Sequence, residues 1–583
     1  MSRPHWAWAD PLEVQLAPAV SADELMGHAR TFAAWERESG SPGEARAFDY
    51  IEGCLKRHGL EVERREIEAY ISLPLEARVV LDDGTVIEAL THSFSTTTAP
   101  EGLEAELVDG GAGTLEVLGR AGAAGRLALV DSFATPASAW AAQQAGTLGQ
   151  IFVNVEHLHN MIVTTIWGAP TPETAWRIPR TPCCSIRKAD AERLRARLAR
   201  GPVRARLYTR VRTEWMAIPH LTADLAGAAD DAYTLFSGHV DAWHHGAMDN
   251  GTANATMLEV ARLLAGRRRE LRRGMRFAFW SGHSHGRYAG SAWYADHAWG
   301  ELERRCVLHL NVDSTGARGA TDYTAFPATE DAADFAEAVI ADVTGQRGRA
   351  RHFSRAGDQS FWGIGLPGAF MSLSQLPPQD TTFGRTTERL FGSSGTPWWW
   401  HTREDTIDKI DAGVLALDTR VYLAAALRLC NAPVLPLAHA RAAAAVAESA
   451  AALHQAAGGR VDLSAVAESA RVLERVLGVP GESLARAAAE GRAAAEQNRA
   501  LMRLSRVLIP LLYTTGDRFA HDLAVGIPPL AGLARARELA ALDPASDLFR
   551  FTVTALVRER NRVLHALDEA SGLARELAGL SRS

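Results

Sequence analysis

Histidines and aspartates recur at one kind of place in this sequence, directly after short apolar runs. In "LFSGHVDAWHHGAMDNG" an apolar strand ending at Phe236 leads into His239 and Asp241, and Asp249 follows just before a helical pattern that begins near Asn254. "LHLNVDSTG" ends in Asp313, "FAFWSGHSHGRYAGSAWY" carries His283 and His285, and "TPWWWHTREDTIDKID" puts His401 in a loop before an acidic stretch that reads as a helix start. Imidazole nitrogens and carboxylate oxygens are ligands for zinc and other divalent ions. Imidazole also titrates near neutrality, which suits a proton carrier. Taken singly, a histidine after a strand is ordinarily a hydrogen-bonded loop residue, and a strand-end Asp is a cap or a turn former. Four such residues in this order, three of the segments following apolar strands and His401 in a loop, point instead to a shared site.

Such a site needs elements that bring the strand ends together. From about 211 to 432, β-type apolar runs alternate with helical patterns, which predicts parallel strands with helical crossovers. In an open parallel sheet, polar groups just past the carboxyl ends of the strands converge on one crevice. Residues 22–70 read as one helical stretch broken at 39–43, followed by the strand-like "LEVERREIEAYI"; residues 71–210 are strand-rich and punctuated by glycine. Beyond Pro433 the sequence is dominated by Ala, Leu, Arg and Glu. Val472, Leu473, Val476 and Leu477, and later Leu556, Val563, Leu564 and Leu567, recur at helical spacing before breakers such as Gly478 and Pro480. Packed antiparallel helices are expected there.

Composition bounds the rest. A chain of 583 residues exceeds a single core and suggests three or four units. The 62 basic residues against 69 acidic ones give no basic surface for nucleic acid. No run approaches the roughly 20 apolar residues of a membrane-spanning helix. The first 20 residues do not resemble a secretory signal, so a cytoplasmic location is expected. Five scattered cysteines make neither a disulfide framework nor a paired metal site, and buried thiols are expected.

The segments quoted above, together with "RAGDQSFWGIGLPGAF", resemble the M28 metallopeptidases, the aminopeptidase and glutamate carboxypeptidase II type of zinc enzyme. The resemblance implies an α/β fold with a doubly wound, mostly parallel sheet of the zinc-exopeptidase kind, formed by residues 1–70 and 211–432. It implies an inserted, β-rich protease-associated-like domain over 71–210 and a helical, dimerisation-like domain over 433–583. His239, Asp249 and Asp313 would hold one metal, Asp249 would bridge to a second, and His401 would complete the second site. Asp241 would orient His239 from behind, and the Asp249–Asn250 peptide would be cis.

The departure from the family falls on residues 277–295. Where the family has adjacent glutamates, one a general base and one a ligand, this stretch has no carboxylate. Counted from Trp280, the base and ligand positions fall on His283 and Ser284; counted back from Gly290 and Ser291, they fall on Ser284 and His285. If the segment stays extended, residues two apart face the same side, so both histidines would face the crevice. Either could be the fifth ligand with the other as proton carrier; the expected assignment is His285 as ligand and His283 as the catalytic base. A neutral ligand in place of a glutamate leaves a two-metal cluster about one unit more positive, which favours a weak second metal or a carboxylate-bearing substrate.

The function expected is therefore a metal-dependent hydrolase of an amide or peptide-like C–N bond. A metal-bound water would attack, with histidine in place of the usual glutamate base. The alternatives are a non-hydrolytic metalloenzyme on the same scaffold (acyl transfer, cyclisation or a lyase step) and a non-catalytic binding protein. The cofactor is a divalent metal, zinc first, with one or two ions per chain. The substrate is a small molecule or a short peptide-like compound. His245, Asp358, Arg355 and Trp400 are candidates to contact it, and the C-terminal helices are candidates for a homodimer contact.

Overall fold

In the computed structural model, which describes residues 4–229, 231–391, 393–478, 481–490 and 494–580, the strands follow in chain order. They are β1 (Glu61–Leu81), β2 (Val86–Thr91), β3 (Leu103–Asp109), β4 (Leu127–Val130), β5 (Gly149–Val153), β6 (Cys183–Ile186) and β7 (Val203–Leu225). After them come β8 (Tyr233–His239), β9 (Gly274–Trp280), β10 (Cys306–Asn311), β11 (Ala325–Pro327), β12 (Arg349–Arg351) and β13 (Gly368–Ala369).

The strands β1 and β7 pair antiparallel along almost their whole length, from Glu61 opposite Asp224 to Leu81 opposite Ala205. Their far halves close a ring in the order β1-β2-β6-β5-β4-β3-β7, with β7 returning to β1. Val79, Leu129, Ile151 and Leu207 are fully buried in one apolar cluster of this barrel. The near halves continue into the second part of the sheet, where β9 joins β7 antiparallel and β8, β10 and β13 follow in parallel. The limits at 70/71 and 210/211 expected from composition thus fall inside two continuous strands. A register shift between Pro74 and Glu76 is the local irregularity near the transition.

Each residue of β8 and of β10 is buried, as a parallel sheet covered on both faces requires. On one face Phe236, Phe277 and Leu310 share a core with the helices Ala22–Ala33, Pro42–Arg57, Ala253–Ala265 and Ala412–Asn431. On the other, Leu235, Ala278 and Trp280 pack with Tyr294, Leu302 and Phe361. The architecture is mixed α/β with C-terminal helices. The break expected at 39–43 is a helix start: Ser41 accepts a hydrogen bond from the Glu44 N–H, and Pro42 occupies the first helical position.

The helices His439–Ala457, Ser464–Gly478, Ala495–Tyr513 and Asp547–Leu580 pack on one another and on the α/β part. Of the expected stripe, Leu473 is buried and Val472 is 41% exposed, so the apolar face is narrower than the spacing suggests; Pro480 lies outside the described residues. Leu556, Val563 and Leu567 are buried. Arg506, itself buried, donates to the carbonyls of Gly365 and Cys306 and ties this end of the chain to the sheet. All five cysteines are buried free thiols. Among the described residues no helix is long and apolar enough to cross a membrane.

Candidate metal centre

Strand register places the first ligand candidate. His239 closes β8 directly opposite Trp280, the last residue of β9, and Asp313 lies just past the end of β10. The His239 Nδ1 is 2.7 Å from the Asp241 carbonyl oxygen. A carbonyl only accepts, so Nδ1 carries the proton and Nε2 presents a lone pair. That Nε2 is buried without a hydrogen-bond partner, 3.2 Å from Asp249 Oδ1 and 3.7 Å from Asp313 Oδ2.

Asp249 is held by its backbone. Asp405, fully enclosed in the turn after His401, accepts at one oxygen from the Met248 N–H and at the other from the Asp249 N–H. The approach to this turn requires glycine at 246: its φ is +47°, and a Cβ there would lie 2.2 Å from the Asp249 carbonyl oxygen. The Asp249–Asn250 peptide is cis. Asp249 Oδ2 lies 3.2 Å from His401 Nε2. His401 Nδ1 donates to the Asn160 carbonyl at 2.7 Å, and the Asn160 N–H donates back to the His401 carbonyl at 2.9 Å. Its ring is stacked on Trp400 with centroids 3.5 Å apart. The acidic stretch after His401 is a turn and a short 3-10 segment; the helix begins only at Ala412, capped by Asp411.

The His-Ser-His segment does not stay extended. β9 ends at Trp280 and Gly282 turns the chain with a φ of +72°, so alternation no longer governs the two histidines and they part. His283 lies face to face with His239, ring centroids 3.7 Å apart and planes 13° from parallel. Its Nδ1 is 2.8 Å from Asp358 Oδ2, and Asp358 Oδ1 accepts from the Ser291 hydroxyl. A carboxylate behind a ring N–H leaves Nε2 free, as in carboxylate–histidine–metal triads. His239, His283 and Asp313 each offer one ligand atom, all within 4.8 Å of one another.

His285 is not brought to this group. The Ser39 N–H donates to its Nδ1 at 3.3 Å, its ring lies 4.4 Å from that of Trp243, and it is wholly buried. The turn at Gly282 breaks the two-residue period, and it is His283, not His285, that lies with His239 and Asp313. Asp241 anchors that turn: its carboxylate accepts from the His283 and Ser284 N–H groups and from the Ser39 hydroxyl. It is Asp241's backbone carbonyl that orients His239.

Of the expected substrate contacts, Asp358 faces His283, and Trp400 walls His401. His245 Nδ1 donates to the Ala33 carbonyl. Arg355 donates to the carbonyls of Asp522 and Leu523, so its hydrogen-bonding fork is already engaged. Ser39, Asn160, Asp405 and Ser291 were not singled out by sequence. Asp405 alone had a cue, an acidic residue four after His401; the others reach the site only through tertiary contacts.

Charge in the crevice is concentrated and confined. Burial opposes a positive His239, yet Asp249 and Asp313 beside its Nε2 hold its pKa well above the ordinary value. Burial likewise opposes the Asp249 charge, and His239 and His401 hold that carboxyl well below the usual range. Burial first, with the Asp249 charge adding, pushes Asp405 up to about 7 against the two N–H donors. Two imidazoles fixed by partners behind them, one of them presenting the orphaned buried Nε2 of His239, and the Asp313 carboxylate form a donor set that fits a divalent cation. Three protein donors with an open position is the pattern of catalytic rather than structural zinc.

The mixed α/β sheet, with histidines and carboxylates gathered beyond its strand ends, has a zinc-exopeptidase-like fold. Residues 220–426 match the model of peptidase family M28, and the chain is a distant homologue of its aminopeptidase-like metallohydrolases. Over 440 residues it is 24% identical to the probable lipoprotein aminopeptidase LpqL of Mycobacterium tuberculosis, covering 70% of this chain and 84% of that one. Among solved structures, the fold is similar to a peptidase M28 precursor from Shewanella amazonensis, with 19% identity, a TM-score of 0.57 and coverage of 73% of this chain and 97% of that one. A zinc aminopeptidase from Bacillus subtilis has 20% identity, a TM-score of 0.52 and coverage of 70% and 94% respectively.

Proposed function

We propose that the protein hydrolyses an amide or peptide-like C–N bond with one firmly held divalent ion, zinc first, on His239, His283 and Asp313. The observation that carries this reading is the convergence of those three donors, with both Nδ1 atoms fixed from behind. An ion there would supply Lewis-acid polarisation of a carbonyl and a water acidic enough to react at neutral pH. The second position has Asp249 and His401, and among the described residues His285 forms no donor group with them. That pair is better suited to proton handling. His401 Nε2 is free to take a proton, because Nδ1 donates to Asn160, and Asp249 Oδ2 beside it stabilises the resulting imidazolium. His401 then returns the proton to the leaving amine, in place of the missing glutamate. Trp400 against His401 closes one side to water.

The aminopeptidase names of the relatives favour a peptide-like substrate, and we read the closed barrel as a protease-associated-like insertion and the C-terminal helices as a self-association domain. Light scattering tests the last point; a monomer at micromolar concentration removes it. The function is tested by elemental analysis together with a panel of aminoacyl and N-acyl amides. One metal equivalent with amine release supports the reading. Two firmly bound equivalents overturn the single-ion assignment, and a loaded protein inert across the panel overturns the hydrolase.

A further inference from the structure

The turn that delivers His283 also delivers a cation with no partner. Arg287 and Tyr288 both adopt left-handed backbone, with φ of +49° and +68°, a conformation unfavourable to residues with a Cβ and kept where the surroundings impose it. The Arg287 carbonyl is fixed by the Gly168 N–H at 2.8 Å. The side chain is directed inward, and the residue is only 9% exposed. Its guanidinium carbon lies 4.9 Å from the centroid of the Tyr288 ring, and that ring meets the His283 imidazole edge to face at 4.8 Å. One aromatic ring therefore separates the guanidinium from a candidate metal ligand.

The Arg287 Nε is buried without a hydrogen-bond partner. Among the described residues no carboxylate pairs with this guanidinium, and no carbonyl accepts from it. Other arginines of this protein are satisfied: buried Arg37 donates to the carbonyls of Val240, Phe32, His245 and Gly246, and half-buried Arg355 to those of Asp522 and Leu523. Arg355 lies flat on Trp167, 4.0 Å from its centroid, and Trp167 is in turn 4.3 Å from Tyr288. Arg287 repels Arg355 and helps burial lower its pKa, while Asp522 attracts it. The neighbourhood thus holds two cations, of which half-buried Arg355 is engaged and buried Arg287 is open.

A cation withdrawn from water without a partner is unfavourable unless an anion completes it. A planar guanidinium is matched by the two oxygens of a carboxylate. We propose that Arg287 receives a free carboxylate of the substrate, so that the compounds processed are N-acyl or peptide-like amides with a carboxylate near the scissile bond. This rests on the hydrolase reading above. Sequence alone directed attention to Arg355; the structure assigns the open guanidinium to Arg287, with Tyr288 as the spacer that sets its distance from His283.

The test is calorimetric binding to the full-length protein, with and without zinc, using N-acetyl dipeptides as free carboxylates and as primary amides. In the metal-free protein, where no ion can capture the carboxylate, the acid is expected to bind about tenfold or more tightly than the amide, a difference of about one decade in Kd. Arg287→Met should abolish that preference and Arg287→Lys should keep part of it. Arg287→Met should also remain folded, with a thermal midpoint no lower than that of the wild type, because it removes an unpaired buried charge. Equal binding of acid and amide to the wild type would overturn the proposal. So would an unchanged preference in Arg287→Met, or a lowered midpoint that marks Arg287 as structural. A protein that shows the Arg287-dependent preference but cleaves nothing supports the carboxylate site and sinks the hydrolase, so the two failures are distinct.

Discussion

The imidazoles of His239 and His283 lie parallel at 3.7 Å, each with Nδ1 bonded to an acceptor behind it, the Asp241 carbonyl for one and the Asp358 carboxylate for the other. Two stacked rings with like-directed lone pairs are suited to share one cation and poorly suited to carry two protons. His283→Ala is therefore expected to weaken metal binding by about 100-fold or more, beyond the effect of losing a partner behind a ligand. His285→Ala should retain the bound ion. Metal content after dialysis against a weak chelator separates the two; retention in the first variant and loss in the second would reverse the assignment.

Asp358 acts on the ion only through His283. Asp358→Asn keeps the shape but loses the charge behind Nδ1, and a drop of roughly 10- to 100-fold in metal affinity is expected. Competition titration against a zinc-binding dye reads it. An unchanged affinity would mean that His283 does not bind the metal.

His401→Ala leaves the three donors of the proposed site intact. The variant should hold its metal equivalent and lose turnover on any cleavable amide by about 100-fold or more, the usual contribution of a positioned proton carrier. Loss of the metal along with activity would place His401 among the ligands.

Gly246→Ala tests the turn that carries Asp249. The left-handed φ alone costs an alanine about 1–2 kcal/mol, and the new methyl meets backbone, the Asp249 carbonyl oxygen, and not a side chain able to swing aside. A lower thermal midpoint and a weaker metal affinity are expected together. A wild-type affinity would show that the turn tolerates displacement.

A pH effect should arise away from the metal. Asp418, in the helix Ala412–Asn431, accepts hydrogen bonds from the Gly316 N–H and from the Tyr323 and Ser374 hydroxyls, and so supports the loop after Asp313. Burial nevertheless pushes it up to about 6, against those donors. Its folded pKa exceeds the unfolded value of about 3.9, so its contribution to stability is complete below that value and is lost as pH rises through about 6. Asp418→Asn leaves the Gly316 N–H facing an amide and should be less stable throughout, by about 1–3 kcal/mol. Its stability should also vary less between pH 4 and 6, read by urea unfolding; an equal slope in both proteins would contradict this account.

His239 and Asp313 were legible because each follows an apolar strand and the parallel sheet brings strand ends together, whereas Asp249 and His401 lie in turns and were legible only through the likeness of their segments to the family. The sequence also marked 277–294 as the place where the chain departs from its relatives. It did not resolve which histidine faces the crevice: that depends on one left-handed glycine, Gly282, which ends the alternation on which the expectation rested. Ser39 and Asn160 carry no local pattern at all, since their partners lie 246 and 241 residues away. The barrel was readable as a strand-rich stretch but not in its limits, because β1 and β7 belong to both parts and nothing in composition changes along them. Nothing in the sequence around Arg287 marks it as buried, since Tyr288 and the loop at Gly168 meet it only in the fold.

The reciprocal backbone pair between Asn160 and His401 has a consequence for how this protein can change over time. Asn160 belongs to the segment between β5 and β6, so the barrel holds His401, the proposed proton carrier, in place through main-chain atoms that no side-chain substitution can remove. A swap of this barrel for a foreign one of similar shape would have to reproduce that loop's path before His401 could settle, and a deletion of the barrel would strand it. The two modules can drift in sequence but not in mutual geometry, and they are expected to be inherited as a single unit.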